Sequence, residues 1–367
     1  MLYILNLAKA FNTVNHGILL SKLDKYGVRG PPLHLIKHYL NNRQQITNIN
    51  NFKSNKLNIN VGVPQGSCLG PLLFLIYIND MHLCTSLKLS LFADDACLSL
   101  SHEDPQILQN CLNLELKNIT NWLEKNKLFL NHSKSNYLIF SKKKNKPSIT
   151  ISINNNILQQ QHTTNYLGII IDDNLNWKPH INNLKLNLSR SCYALSKLRN
   201  YANLYTMKNI YYSLFYSKLK YCISSWGGAS ESVLNPLIKL QKRAIRYISF
   251  KPARTPTNSL FIEMKMLKVN EIHKFEISKL VHKMCNNNLQ GNLKLVNLNT
   301  VHNYQTRSKS NNNFYINSCR TDLGKTCFNS IAPRIWREVP TNLKSLNSGN
   351  FKNKLKSHLL ALYQNNS

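Results

Sequence analysis

The chain alternates between short apolar runs of strand length and longer stretches with apolar residues at helical spacing. "LYILN" is almost wholly apolar and reads as a core strand. In "GILLSKLDKYGV", Ile18, Leu19, Leu20, Leu23 and Tyr26 recur at helical spacing. Gly27 and the pair Pro31-Pro32 interrupt that helix, and a second is predicted over 33–43. "QQITNINNFKSNKLNINVGVP" is β-prone and turn-rich, which predicts a hairpin. A buried helix follows behind Gly70-Pro71, because proline suits a first helical turn. "LKLSLFADDACLSL" predicts a second hairpin whose arms meet near Asp94 and Asp95. Between 105 and 128, Leu108, Leu112, Leu116, Ile119 and Leu123 mark a long amphipathic helix, and "SNYLIFS" is another strand.

This order up to residue 141 is an α+β pattern, an antiparallel sheet with helices on one face. "SKKKNKPS" at 141–148 reads as a basic, proline-containing link. From about 180 to 290 the periodicity is mostly helical. The asparagine-rich stretch 286–313 reads as loose, and "FKNKLKSHLLALY" as a terminal helix. No internal repeat is visible.

Composition narrows the class. The 367 residues suffice for two or three modules, and 43% hydrophobic content fits a globular chain. The formal charge is +31, and it is unevenly spread. Residues 1–145 carry 16 basic and 8 acidic side chains, and 146–367 carry 31 and 8. A surplus of +23 in the second part attracts polyanions, nucleic acid first among them. An A+T-rich genome would also enrich lysine and asparagine, but it does not account for the scarcity of acids. Nine cysteines, none in a C-x-x-C pair, fit buried thiols in a reducing, intracellular compartment; Cys319 and Cys327, the closest pair, have no third ligand nearby. No apolar run reaches the roughly 18–20 residues of a membrane span, and the N-terminus lacks a signal-peptide pattern. That N-terminus opens directly on a core strand, which points to further chain upstream.

Adjacent carboxylates in an apolar run need an explanation. Burying unpaired carboxylates costs several kcal/mol, on the order of 2–7 even for a neutral polar group. Asp94-Asp95 is therefore either a turn with two turn-forming aspartates or a site that holds a cation. The core-type flanks, Phe92-Ala93 and Ala96-Cys97-Leu98, favour the cation.

"FADD" resembles the catalytic motif of reverse transcriptases from non-LTR (LINE-type) retrotransposons. "LNLAKAFNTVNHGILLSKLDKYGVRG" resembles their first palm motif, and "GVPQGSCLGPLLFLIYINDM" their second. "WLEKNKLFLNHSKSNYLIFS" and "YLGIIIDDNLNWKPHI" are similar to the motifs that follow, and "YYSLFYSKLKYCISSWGG" and "LQKRAIRYI" to the thumb and C-terminal region. The resemblance implies a right-hand polymerase palm over 1–145, a motif hairpin and helical thumb over 146–250, and a basic C-terminal region over 251–367. It also implies RNA-directed DNA synthesis with an RNA template, a DNA primer and dNTPs, in nucleus or cytoplasm, using two Mg²⁺ ions, with Mn²⁺ as a substitute.

By the same resemblance, Asp94 binds metal and Asp95 supports it. Gln65 and Gly66 contact the incoming nucleotide and template-primer, where glycine permits close backbone approach. Phe11 crowds the sugar 2′ position, Lys9 faces the triphosphate, and Lys134 donates a proton to pyrophosphate. Lys242, Arg243 and Arg246 share a helical face with Tyr247 adjacent, a pattern that suits a phosphate backbone or, equally, a solvated helix face. Taken singly, P-Q-G-S is an ordinary turn, Phe11 a core residue and Lys134 a surface lysine. His180, without a nearby ligand set, reads as structural.

The sequence also departs from the family. The first motif there reads L-D-L-x-K-A-F-D-x-V-x-H; here Asn6 stands at the metal-binding aspartate, and Asn12 and Asn15 at two further positions that are often aspartate. A neutral amide among three ligands weakens metal binding and transition-state stabilisation. The fingers subdomain and endonuclease of relatives are absent from this stretch. The expectation is an impaired polymerase, with a non-catalytic nucleic-acid-binding remnant as the second reading.

Overall fold

The computed structural model describes residues 1–141, 147, 149–153, 156–286, 293, 295–300 and 313–363. Most of the basic link 141–148 and of the asparagine-rich stretch 286–313 lies outside the described residues. The chain divides into two compact units, Met1–Asn174 and Leu175–Ser367. The hairpin after the link therefore belongs to the first unit.

The first unit is mixed. Strand β1 (Leu2–Asn6) is followed by α1 (Ala10–Thr13), α2 (His16–Lys25) and α3 (Pro31–Leu40). The expected hairpin is two ribbons: β2 (Arg43–Gln45) pairs with β5 (Leu57–Ile59), while β3 (Asn48–Ile49) pairs with β4 (Phe52–Lys53). Then come α4 (Leu69–Ile78), a 3₁₀ turn (Asn79–Cys84), β6 (Lys88–Phe92), β7 (Asp95–Ser99), α5 (Pro105–Lys125) and β8 (Asn136–Leu138). Two hairpins close the unit: β9 (Ser152–Ile153) with β10 (Asn156–Ile157), and β11 (Thr163–Tyr166) with β12 (Ile169–Asp172).

The central sheet has the order β6-β7-β1-β8, and every pairing in it is antiparallel. β1 sits inside the sheet because Tyr3, Ile4 and Leu5 are all buried, so neither face tolerates a polar side chain. Helix α5 starts where Asp104 accepts a bond from Gln106 N at 2.7 Å ahead of Pro105. Its leucine stripe and Ile119 are buried as expected. Glu115 is buried too, which the stripe does not foretell. It accepts bonds from Thr85 Oγ1 (2.7 Å), Ser86 N (3.1 Å) and Ser86 Oγ (2.6 Å). That carboxylate anchors the chain entering β6, and so helps to fix the register of the β6–β7 hairpin.

Lys22 is a second buried charge. Its Nζ donates to the Tyr77 carbonyl at 2.6 Å and to Asp80 at 2.7 Å, over the rings of Tyr77 and Trp122. Burial lowers its pKa although Asp80 opposes the shift. The contact ties α2 to the end of α4, which holds the first motif against the second.

The regular elements described in the second unit are helices: α6 (Lys178–Leu198), α7 (Leu204–Ile210), a π-helical turn (Tyr211–Tyr216), α8 (Ser217–Lys220), α9 (Ile223–Trp226), α10 (Glu231–Ile248), α11 (Asn258–Glu263) and α12 (Val269–Cys285), then α13 (Asp322–Thr326), α14 (Phe328–Glu338), α15 (Thr341–Lys344) and α16 (Ser348–Ala361), with one 3₁₀ turn at Leu298–Thr300 and one antiparallel bridge between Asn297 and Phe314. Its core is built around Trp226, Trp336, Phe215, Phe261 and Phe351. Buried Gln241 is fully engaged. It donates to Tyr211 Oη (3.2 Å) and the Leu267 carbonyl (2.9 Å), and accepts from Val269 N (3.0 Å). His180 is buried against Trp226, ring centroids 5.8 Å apart, and burial lowers its pKa. That surrounding agrees with a structural histidine. Among the described residues no helix is long and apolar enough to cross a membrane.

Candidate active site

The β6–β7 hairpin turns at Ala93-Asp94, with Ala93 in the left-handed region at φ 52°. Asp95 opens β7 directly opposite Asn6, the last residue of β1. The side chains meet: Asn6 Nδ2 donates to Asp95 Oδ1 at 3.2 Å. Both aspartates are half-buried at the open end of the sheet. The separate strands carrying residues 6 and 95 thus converge at one point.

The segment before β8 is held at the same place. Asn131 N donates to the Asn6 carbonyl at 2.8 Å, and Asn6 N donates to Ser135 Oγ at 3.3 Å. Lys134 lies between them, exposed, with its backbone N bonded to Asn131. Its side chain leaves from a loop fastened to the end of β1. Tyr166 on β11 is near as well. Burial raises its pKa first, and the charges of Cys97 and Asp95 raise it further. Sequence reasoning did not single out Tyr166; the signal available was the "YLG" at the head of the following hairpin. Burial pushes the neighbouring Cys97 thiol up to about 11, so it is an inert core group.

A second cluster forms where the first motif meets the P-Q-G turn. Val63 N donates to the Phe11 carbonyl at 2.8 Å and Gly62 N to the Val14 carbonyl at 2.7 Å. Phe11 is half-buried with its ring 4.7 Å from that of Phe74. Gln65 Nε2 donates to Asn12 Oδ1 at 3.0 Å. Lys9 is exposed at φ 49°, just before α1. Gly66 has φ 83° with open space about it, so backbone conformation is what calls for glycine there. The crowded glycines are Gly62, packed on the Asn12 backbone, and Gly70, packed on the Pro64 carbonyl. Asn12, Gln65, Arg43, Gln44 and Gln45 line a cleft of about 620 Å³. Arg43, a cation stacked 5.5 Å from the centroid of Tyr39, is the residue here that sequence reasoning missed.

Lys242, Arg243 and Arg246, all on α10, part company. Lys242 and Arg243 are exposed, and Arg243 Nε donates to Tyr247 Oη at 3.0 Å. Arg246 Nε donates to the Thr255 carbonyl at 2.8 Å and tethers the following loop. Arg243 instead shares a groove of about 380 Å³ with Lys185 and Lys239.

Among the described residues no three His, Cys, Asp or Glu side chains come together as a metal cluster. The oxygen donors at the hairpin tip are the carboxylates of Asp94 and Asp95 and one neutral amide. Such a set suits one hard divalent cation with water completing its shell.

Residues 1–171 match the family described as reverse transcriptase (RNA-dependent DNA polymerase). Relatives from Drosophila melanogaster include the probable RNA-directed DNA polymerase from transposon X-element, 27% identical over 279 residues, covering 74% of this chain and 30% of the relative. The RNA-directed DNA polymerase from mobile element jockey is 28% identical over 280 residues, 73% of this chain and 30% of the relative. The probable RNA-directed DNA polymerase from transposon BS is 29% identical over 282 residues, 73% and 31%. The matched part of this chain thus spans about a third of the length of these relatives.

Proposed function

We propose, from the premise that residues 1–171 are a reverse-transcriptase domain of the non-LTR retrotransposon type, that the chain is built for RNA-directed DNA synthesis and is impaired at its metal site. One observation carries this reading: the amide of Asn6 donates to Asp95 where a third carboxylate would face a cation. An N–H aimed at Asp95 occupies a lone pair that a divalent ion would use, and Asn6 contributes no charge.

Asp94 and Asp95 would hold the divalent cations, Mg²⁺ or Mn²⁺ in its place; of a pair, one would supply activation of the primer 3′-hydroxyl and the other stabilisation of the leaving pyrophosphate. The surrounding residues position the other reactants. Phe11, braced by Phe74, limits the space beside the sugar and selects dNTP over NTP. Gln65, held by Asn12, and Gly66 face the incoming nucleotide and template-primer. Lys9 and Lys134, both exposed beside the strand end, serve the triphosphate and the departing pyrophosphate. Lys242 and Arg243 contact the nucleic acid, and Arg246 shapes the loop behind them.

A second reading is a nucleic-acid-binding remnant without chemistry. The neutral residue at position 6 and the +23 surplus beyond residue 145 favour it. Primer extension on a primed RNA template separates the two. The first reading expects synthesis in Asn6→Asp exceeding the wild type by orders of magnitude and abolished by a further Asp94→Ala. Silence in Asn6→Asp, with RNA binding intact, supports the remnant. Full-rate synthesis by the unaltered chain overturns the impairment.

A further inference from the structure

Four lysines of the helical unit sit on elements that pack together. Lys208 lies on α7, Lys265 in the turn between α11 and α12 at φ 54°, and Lys352 and Lys356 one turn apart on α16. Buried contacts fix these elements together. Gln241 joins Tyr211, which follows α7, to the Leu267 carbonyl just behind Lys265. Tyr363, just past α16, accepts a bond from Lys268 N through its hydroxyl at 2.9 Å. Met207, Met264, Met266, Leu355 and Leu359 pack in the same core. Lys356 is half-buried; burial lowers its pKa, and the charges of Lys352, Lys265 and Lys208 lower it further.

Among the described residues none of the four forms an ion pair. Around Lys208, between Asp173 and Glu263, the only acid is Glu231, against fourteen Lys and Arg; Glu263 precedes Lys265 by two residues, and Glu271 accepts from the Tyr363 hydroxyl at 3.1 Å. Tyr205, one turn ahead of Lys208 on α7, is 75% exposed, and Tyr212, one turn behind, is 38% exposed. Like charges held together by a rigid core cost free energy unless an anion joins them.

We propose that Lys208, Lys265, Lys352 and Lys356 form a docking surface for the phosphate backbone of a single nucleic-acid strand, with Tyr205 stacking on a base at its margin. The surface contains none of the candidate active-site residues. It rests on nucleic acid being the partner and not on the chain's ability to synthesise DNA. An extended strand fits better than a compact polyphosphate, because the cations span three elements, Lys265 and Lys352 are open to solvent, and an aromatic flanks them.

The test is binding of a labelled single-stranded RNA oligonucleotide to the full chain, followed by anisotropy across a salt series. Each phosphate contact on a single strand contributes about 0.7 to the slope of log K against log salt, so K352Q/K356Q should flatten the slope by about 1.4 and K208Q/K265Q by the same amount. Tyr205→Ala should weaken binding by about 5- to 150-fold at unchanged slope, the range of one lost base stack. Thermal melts guard against misfolding: removing mutually repelling charges should leave the melting temperature unchanged or raised, most visibly at low salt. Unchanged slopes in both lysine pairs, with a flattened slope in Lys242→Gln or Arg243→Gln, would move the strand to α10 and overturn the proposal. So would stoichiometric displacement of the RNA by inositol hexakisphosphate in the wild type but not in the quadruple variant, which assigns a compact polyphosphate. Absence of binding by the wild type refutes this surface and the remnant reading alike, while primer extension by Asn6→Asp still reports on the active site separately.

Discussion

Replacing Asn6 by Asp is the most informative perturbation of the hairpin tip. The change removes the 3.2 Å bond from Asn6 Nδ2 to Asp95 Oδ1. A hydrogen bond to a charged acceptor contributes about 1.5–3 kcal/mol. It also sets two carboxylates face to face. At a separation of about 4 Å and an effective dielectric near 20, their repulsion is about 4 kcal/mol before relaxation. A loss of several kcal/mol would consume a large part of the ~5–15 kcal/mol that holds a typical domain together. Asn6→Asp should therefore melt well below the wild type in EDTA.

A divalent cation reverses the sign of that effect. A ligand at a hundred times its Kd stabilises the folded state by about 2.7 kcal/mol. The third carboxylate tightens that ligand's site, so the Mg²⁺-induced rise in melting temperature should be larger for Asn6→Asp than for the wild type. Differential scanning calorimetry in EDTA and in excess Mg²⁺, with Asn6→Asp/Asp94→Ala as control, measures both quantities. Equal melting of wild type and Asn6→Asp in EDTA, together with equal Mg²⁺ shifts, would refute the claim that residue 6 faces Asp95 in a cation site.

Other expectations concern the frame around the site. Gly70→Ala drives a Cβ into the Pro64 carbonyl and should cost about 1–3 kcal/mol in urea unfolding while displacing the Gln65 turn. Burial alone would raise the pKa of Glu115, but the bonds from Ser86 and Thr85 outweigh it and the pKa is lowered. A carboxyl depressed in the folded state stabilises fully above its unfolded pKa, and that stability is lost as pH falls through the folded value. Glu115→Gln should accordingly cost about 1–3 kcal/mol at neutral pH, with the gap to the wild type closing in acid; a gap constant with pH would contradict the assignment.

Elements with a long, consistent period were legible in the sequence. The stripe from Leu108 to Leu123 sits in a window long enough for periodicity to dominate, and the helix runs Pro105–Lys125 as the pattern requires. Strand β1 was legible because its apolar run is too short for a helix. The segment 43–59 was not, since its polar residues fit a single hairpin or two nested ribbons equally well. Glu115 and Lys22 escaped notice because their partners lie 29 to 58 residues away in the chain, beyond any local pattern. At the site, the pairing of residue 6 with the aspartate doublet followed from the motifs, yet which aspartate faces it is a matter of strand register. The crowding at Gly70 and the tether made by Arg246 are tertiary facts with no sequence signature.

The three asparagines of the first motif are not equivalent once their bonds are known. Asn12 uses its oxygen, accepting from Gln65 Nε2 at 3.0 Å. Asn15 also uses its oxygen, accepting from Ile18 N at 3.1 Å as the cap of α2. An aspartate performs either task, and at a helix N-terminus its charge adds about 0.3–1 kcal/mol. Asn6 alone uses its N–H, a donor that an ionised aspartate lacks. Asn12→Asp should therefore be close to neutral in urea unfolding and Asn15→Asp neutral to slightly stabilising, both without regard to Mg²⁺, whereas Asn6→Asp depends on the cation. The fold thus tolerates either residue type at positions 12 and 15. At position 6 the amide satisfies Asp95 without metal, and the same bond that steadies the metal-free fold opposes the chemistry its relatives are named for. A Mg²⁺-dependent stability change in Asn12→Asp or Asn15→Asp comparable to that of Asn6→Asp would show that the cation site is not confined to the hairpin tip.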